Sequence, residues 1–171
     1  MIVLATISVI EVINLLSGRM LNQFGTIPRY VPGLRGIVFS PFIHGSFSHF
    51  LSNLLPLAAF SYLVMQYGFK RYVQVSIGIM LVTGLLVWLF ARPATHIGAS
   101  GLIYGYFGFL LLAGFLSRQF KLMLISLLVI FLYGGLIFGV LPGQTFVSWE
   151  SHLFGFIAGL MAAKLWAKPS R

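Results

Sequence analysis

Residues 97–116 read IGASGLIYGYFGFLLLAGFL, a run without one charged side chain, closed by Arg118 and Lys121. A helix of about 20 apolar residues, rising 1.5 Å each, spans the hydrocarbon core of a bilayer. The stretch therefore predicts a transmembrane helix that opens on a small-residue turn containing Ser100. Working outward, five more apolar segments predict helices at residues 2–16, 49–67, 72–90, 122–141 and 151–166. Lys70-Arg71 closes the second, Pro142-Gly143 stops the fifth, and Lys168 follows the sixth. The fold class is an all-α polytopic membrane protein, a bundle of six transmembrane helices forming a single domain over residues 1–171.

Composition supports this reading. Of 171 residues 59% are hydrophobic and 8% charged, where a soluble domain carries roughly 25% charged residues. The length leaves no room for a separate soluble module. The formal charge of +9 comes from 11 Lys and Arg against two acids, Glu11 and Glu150. The basic residues lie singly or in pairs between apolar runs, the pattern of loops at lipid headgroups, so no nucleic-acid partner is expected. Cysteine is absent, which excludes disulfides and thiolate chemistry. The N-terminal run lacks a basic leader and carries Glu11, so it does not read as a signal peptide. An acid at the centre of a spanning helix costs about 2.5–3.5 kcal/mol, which predicts that Glu11 faces the bundle or sits near a helix end. The connection over residues 17–48 is rich in Gly and Pro yet apolar, and is expected to lie in the membrane interface. Lys70, Arg71, Arg118, Lys121, Lys164, Lys168 and Arg171 fall on one side of the bundle, and Arg19, Arg29, Arg35 and Arg92 on the other. The positive-inside rule then places both termini in the cytoplasm.

The second, fourth and sixth helices run parallel, and each opens on polar residues. The second brings His44, Ser46, Ser48, His49 and Asn53; the fourth Gly98-Ala99-Ser100-Gly101; the sixth Ser151-His152. A serine hydroxyl becomes a nucleophile when a base takes its proton, and histidine is the usual base. Acyl transfer also needs donors aimed at the developing oxyanion. Ser100 sits where a helix start leaves N–H groups free, and His49 and Asn53, four apart, share a helical face. On the sixth helix His152, Gly155, Gly159 and Ala163 form one stripe, and Gly101, Gly105 and Gly108 cluster on the fourth. Small residues let membrane helices approach closely, so Ser100 and His152 can meet. Taken singly, each feature has a plainer reading. A lone membrane serine usually bonds back to its own helix, a GxxxG pattern is commonly only a packing interface, and a histidine near a helix end is usually interfacial. His44 and His49 lack the carboxylate or cysteine that would complete a zinc site, so no metal is expected. His96, four residues before Ser100, reads as a loop residue near the headgroups. Co-occurrence carries the catalytic reading.

These motifs resemble the rhomboid family of intramembrane serine proteases, and most closely its compact six-helix bacterial form, the GlpG-like core. The matching residues are His44 with His49-Phe50-Leu51-Ser52-Asn53, Gly98-Ala99-Ser100-Gly101 with Tyr104, and His152-Leu153-Phe154-Gly155 with Gly159. The resemblance implies Ser100 as nucleophile and His152 as general base. It implies an oxyanion hole from His49, Asn53 and the Ser100 amide, Tyr104 stacked on His152, His44 in support, and Gly98 lining the cleft. It further implies hydrolysis of a peptide bond in or beside a transmembrane helix of a client membrane protein, without metal or cofactor. Client proteins and membrane lipids would be the partners. The setting would be a bacterial inner membrane with the site near the periplasmic face. Two residues depart from the family pattern: Leu34-Arg35 stands where a Trp-Arg pair is usual, and Ser151 where alanine precedes the histidine.

Two other readings compete. A non-catalytic relative would bind membrane clients, but such proteins typically lose the serine or histidine. A transporter or channel would show paired broken helices or charges at mid-membrane, and only Glu11 approaches that. A Ser-His-Asp triad needs a carboxylate on the base; the chain has no Asp, and Glu150 lies about 200° around the helix from His152. Glu11 lies on the helix least tied to the site. The expectation is a dyad.

Overall fold

The computed structural model describes residues 2–143 and 148–168; Arg171, counted above with the basic tail, lies outside them. Among the described residues the chain forms seven α-helices: α1 Ile2–Leu16, α2 Gly36–Phe39, α3 Phe47–Met65, α4 Phe69–Phe90, α5 Ser100–Ser117, α6 Phe120–Tyr133 and α7 Trp149–Trp166. Short 3-10 turns occupy Met20–Phe24, Val31–Arg35, Ser40–Phe42 and Gly134–Val140. The described residues form no strand; their one β-type pairing is an antiparallel bridge between Thr26 and His96.

Helix starts differ from the sequence expectation for local reasons. Ser46 caps α3, its hydroxyl accepting the His49 N–H at 3.1 Å, so the helix begins before His49. Gly68 (φ 98°) turns the chain tightly and lets α4 start at Phe69. Gly98 (φ 118°) breaks the chain before Ser100, so α5 starts at Ser100 rather than at residue 97. Ser148 caps α7 and draws Glu150 and His152 into its first turn. The fifth apolar segment is α-helical only to Tyr133 and continues as 3-10 turns to Val140.

Among the described residues four segments are long and apolar enough to cross a membrane: Phe47–Met65, Phe69–Phe90, Ser100–Ser117 and Phe120–Val140. The protein is an integral membrane protein. Helix α1 has 15 residues, and α7 carries Glu150, His152 and Lys164, so neither meets that requirement by length and composition alone. Large apolar side chains such as Leu55, Phe90, Phe131 and Phe138 are exposed, as expected where lipid is the solvent.

Helix α5 is the centre of the bundle, buried along most of its length and packed on α3, α4, α6 and α7. Its contact with α7 is made by backbone. A Cβ at Gly155 would strike the Gly101 carbonyl, and one at Gly159 would strike the Gly105 carbonyl and come 2.8 Å from the Phe109 nitrogen. Gly108 meets the Phe156 carbonyl in return, while Gly105 turns its open side to Ile79 of α4. Such proximity lets helices gain dispersion contact where hydrophobic burial offers none.

The connection before α3 is folded onto the bundle. Gly36 abuts the backbone of Gly25 and Thr26, and Ile37 seats against Gly84 of α4. Arg29 donates to the carbonyls of Leu89 and Ala91, and the Trp88 indole donates to Tyr30. Arg35, of the Leu34-Arg35 pair, lies 4.5 Å over the Phe24 ring and donates to the Gln23 carbonyl. Tyr30, Val31, Leu34, Val38 and Phe39 remain exposed.

Glu11 is buried, and its carboxylate pairs with Arg19 at 2.8 Å. Arg19 and Asn14 both donate to the His44 carbonyl, at 3.0 and 3.1 Å. Helix α1, read from sequence as the one least tied to the site, is therefore bonded to a residue directly behind it.

Candidate active site

A cleft of about 930 Å³ opens among the starts of α3, α5 and α7. Ser100, Tyr104, His152, His49 and Asn53 all line it, together with Ser46, Ser48, Ser52, His96, Leu136 and Ser148. Three segments distant in sequence thus deliver their polar residues to one place.

Ser100 is the first residue of α5, where the helix leaves amide groups without intrahelical acceptors. The turn before it is fixed by two bonds. The Gly98 N–H donates to the Ser40 carbonyl at 2.9 Å, and the Ala99 N–H donates to His44 Nε2 at 3.4 Å.

The His152 ring is held from two sides. It stacks on Tyr104 with centroids 4.1 Å apart and planes within 7°. Its Nδ1 lies 2.9 Å from the Gly139 carbonyl oxygen. A carbonyl only accepts, so Nδ1 carries the proton and Nε2 keeps a lone pair. No hydrogen bond joins Ser100 to His152, the looser spacing common before substrate binds. Their helices touch between them, since a Cβ at Gly101 would lie 3.4 Å from the Ser151 carbonyl.

On the facing wall the Asn53 amide donates to the His49 carbonyl at 2.8 Å, which leaves its second N–H unused. A Cβ at Gly98 would come 2.7 Å from the His49 ring, so glycine here seats that imidazole. His44 is fully buried and meets His49 edge-on, with centroids 5.2 Å apart. Burial first, then the neighbouring His49 and Arg19, push its pKa down to about 4. It is neutral and serves as an acceptor for the turn before Ser100.

His96 lies in the loop before α5, as expected. It is buried, it bridges Thr26 through both backbone groups, and its ring bonds Ser148 Oγ at 2.6 Å and the Arg92 carbonyl at 3.1 Å. Burial holds its pKa below the ordinary value. A bridge between residues so far apart in sequence leaves no local pattern to read. Gly139 and Ser148 were equally invisible in the sequence; only the N-cap preference for serine marks the latter.

Both carboxylates are engaged elsewhere, Glu11 with Arg19 and Glu150 with Arg92 at 3.4 Å. Among the described residues no group of three His, Cys, Asp or Glu is placed to hold a metal. The arrangement offers a hydroxyl, an imidazole with a bare nitrogen, and amide donors around one water-accessible cleft. Those are the parts of a serine hydrolase.

A family profile described as the rhomboid domain matches residues 32–169. The chain is also similar to uncharacterized mycobacterial proteins. One from Mycobacterium tuberculosis is 38% identical over 176 residues, covering 98% of this chain and 73% of the relative. One from Mycobacterium leprae is 34% identical over 178 residues, covering 98% and 70%. Helical architecture, apolar spans and this match agree, and the chain belongs to the rhomboid family.

Proposed function

We propose that the protein is an intramembrane serine endopeptidase in which Ser100 attacks and His152 takes its proton. The observation that carries this reading is the His152 ring, stacked on Tyr104 and bonded through Nδ1, which leaves Nε2 bare in the cleft that Ser100 lines. His49, Asn53 and the Ser100 amide are the donors for the oxyanion. Each such donor is worth roughly 3–4 kcal/mol in acyl transfer. The reaction runs through an acyl-Ser100 intermediate; the proton taken by His152 passes to the leaving amine, and a water activated by the same imidazole releases the acid. The clients are membrane proteins whose transmembrane helices unwind locally at small or helix-breaking residues. In this reading α1 and α7 join the four long spans to give six crossings, both termini are cytoplasmic, and the cleft opens near the periplasmic face of a bacterial inner membrane.

Fluorophosphonates acylate activated serines, so the purified protein should label at Ser100. Labelling should vanish in Ser100→Ala and fall sharply in His152→Ala. Undiminished labelling of Ser100→Ala would remove the nucleophile assignment. A wild-type protein that never labels, yet binds client helices, would be a non-catalytic client-binding relative.

A further inference from the structure

The chain has no aspartate, and both of its glutamates are paired with arginines. A catalytic histidine still needs something to fix its tautomer, because the wrong one presents N–H where the serine proton must go. We propose that the backbone carbonyl of Gly139 is that orienting group, and that position 139 is glycine because any side chain there would dislodge the ring stack on which the base rests. The proposal rests on the reading of Ser100 and His152 as a dyad.

Two independent observations carry it. The Gly139 oxygen accepts from His152 Nδ1 at 2.9 Å, as an orienting carboxylate would. On the other face of the same residue, a Cβ would run into the Tyr104 hydroxyl and lie 2.9 Å from its ring carbon Cζ. Tyr104 is the ring stacked on His152. One residue therefore touches both partners of the stack, one through its oxygen and one through its lack of a side chain. Gly139 belongs to the 3-10 segment Gly134–Val140, whose Leu136 lines the cleft, so the wall of the cleft and the orientation of the base are set by one element. Gly139 is a positioning residue that acts through His152.

The test compares cleavage of a reconstituted client helix by wild type, Gly139→Ala, and Gly139→Ala combined with Tyr104→Phe, which deletes the hydroxyl that the new methyl meets. A misplaced base commonly costs about 100-fold in rate, so Gly139→Ala should lose kcat on that scale with KM within about two-fold. The added Tyr104→Phe should restore about ten-fold of the loss, which a merely destabilised variant would not show. Wild-type kcat in Gly139→Ala overturns the proposal, as does a loss that Tyr104→Phe leaves unrepaired. Should Gly139→Ala fail to fold, 15N-histidine spectra of the wild type decide, with His152→Ala assigning the signal. Protonated Nδ1 and bare Nε2 on neutral His152 agree with the proposal; the opposite tautomer overturns it. Ser100→Ala keeps the two levels apart. Full cleavage there sinks the dyad itself, whereas a silent Ser100→Ala beside a fully active Gly139→Ala sinks only the role of Gly139.

Discussion

His44 shows how a side chain outside the cleft can set the geometry of residues within it. It accepts the Ala99 N–H on one side and is braced by Arg19 and Asn14 through its carbonyl on the other. In the folded protein it takes a proton only near pH 4, whereas an unfolded histidine takes one near 6.5. Above pH 6.5 both states are neutral and nothing is lost. Between 6.5 and 4 the unfolded chain binds the proton and the fold does not, so stability falls as pH falls, by about 3 kcal/mol at most. His96, also depressed by burial, adds in the same direction. Thermal unfolding in detergent should therefore shift to lower temperature from pH 7 to 4.5, and His44→Gln should flatten that slope while lowering stability at pH 8. An unchanged slope in His44→Gln would show that His44 is not the group responsible. The polar residues of the cleft were legible because burying them in a membrane protein is costly. His96 and Gly139 were not. One acts through a long-range bridge, and the other through a carbonyl that every residue has.

At the scale of elements, the α5–α7 contact holds the two halves of the proposed dyad together. Gly159 faces the Gly105 carbonyl and the Phe109 nitrogen, backbone atoms that cannot swing aside as a side chain would. Gly159→Val should cost at least roughly 2–3 kcal/mol and lower activity along with the unfolding midpoint. Gly134, whose added Cβ meets nothing within 4 Å, is the control, and Gly134→Ala should change the midpoint little. Equal effects of the two substitutions would show that close backbone approach is not what binds α5 to α7. The glycine stripe was readable from spacing alone, since a 3.6-residue period puts Gly155, Gly159 and Ala163 on one face. Helix ends were less so. Ser46, Gly68, Gly98 and Ser148 moved the starts of α3, α4, α5 and α7 by two or three residues through caps and positive φ, and hydropathy does not record either.

For the whole molecule, hydropathy gave the class of fold and the order of the apolar segments, because a membrane leaves a chain few ways to satisfy its backbone. It gave less for the connection over residues 17–48, where short turns are pinned by glycine contacts and side-chain bonds to distant carbonyls. The cleft at the starts of α3, α5 and α7 is where these scales meet. Its proposed use as a protease site without a carboxylate is tested most directly by reconstituting the protein in proteoliposomes with a client helix and measuring cleavage. Ser100→Ala and His152→Ala should each abolish product, whereas Glu11→Gln and Glu150→Gln, less stable for the loss of their arginine pairs, should cleave at near wild-type rate per folded molecule. Cleavage that survives in Ser100→Ala, or that disappears in folded Glu150→Gln as completely as in His152→Ala, would contradict a Ser100–His152 dyad.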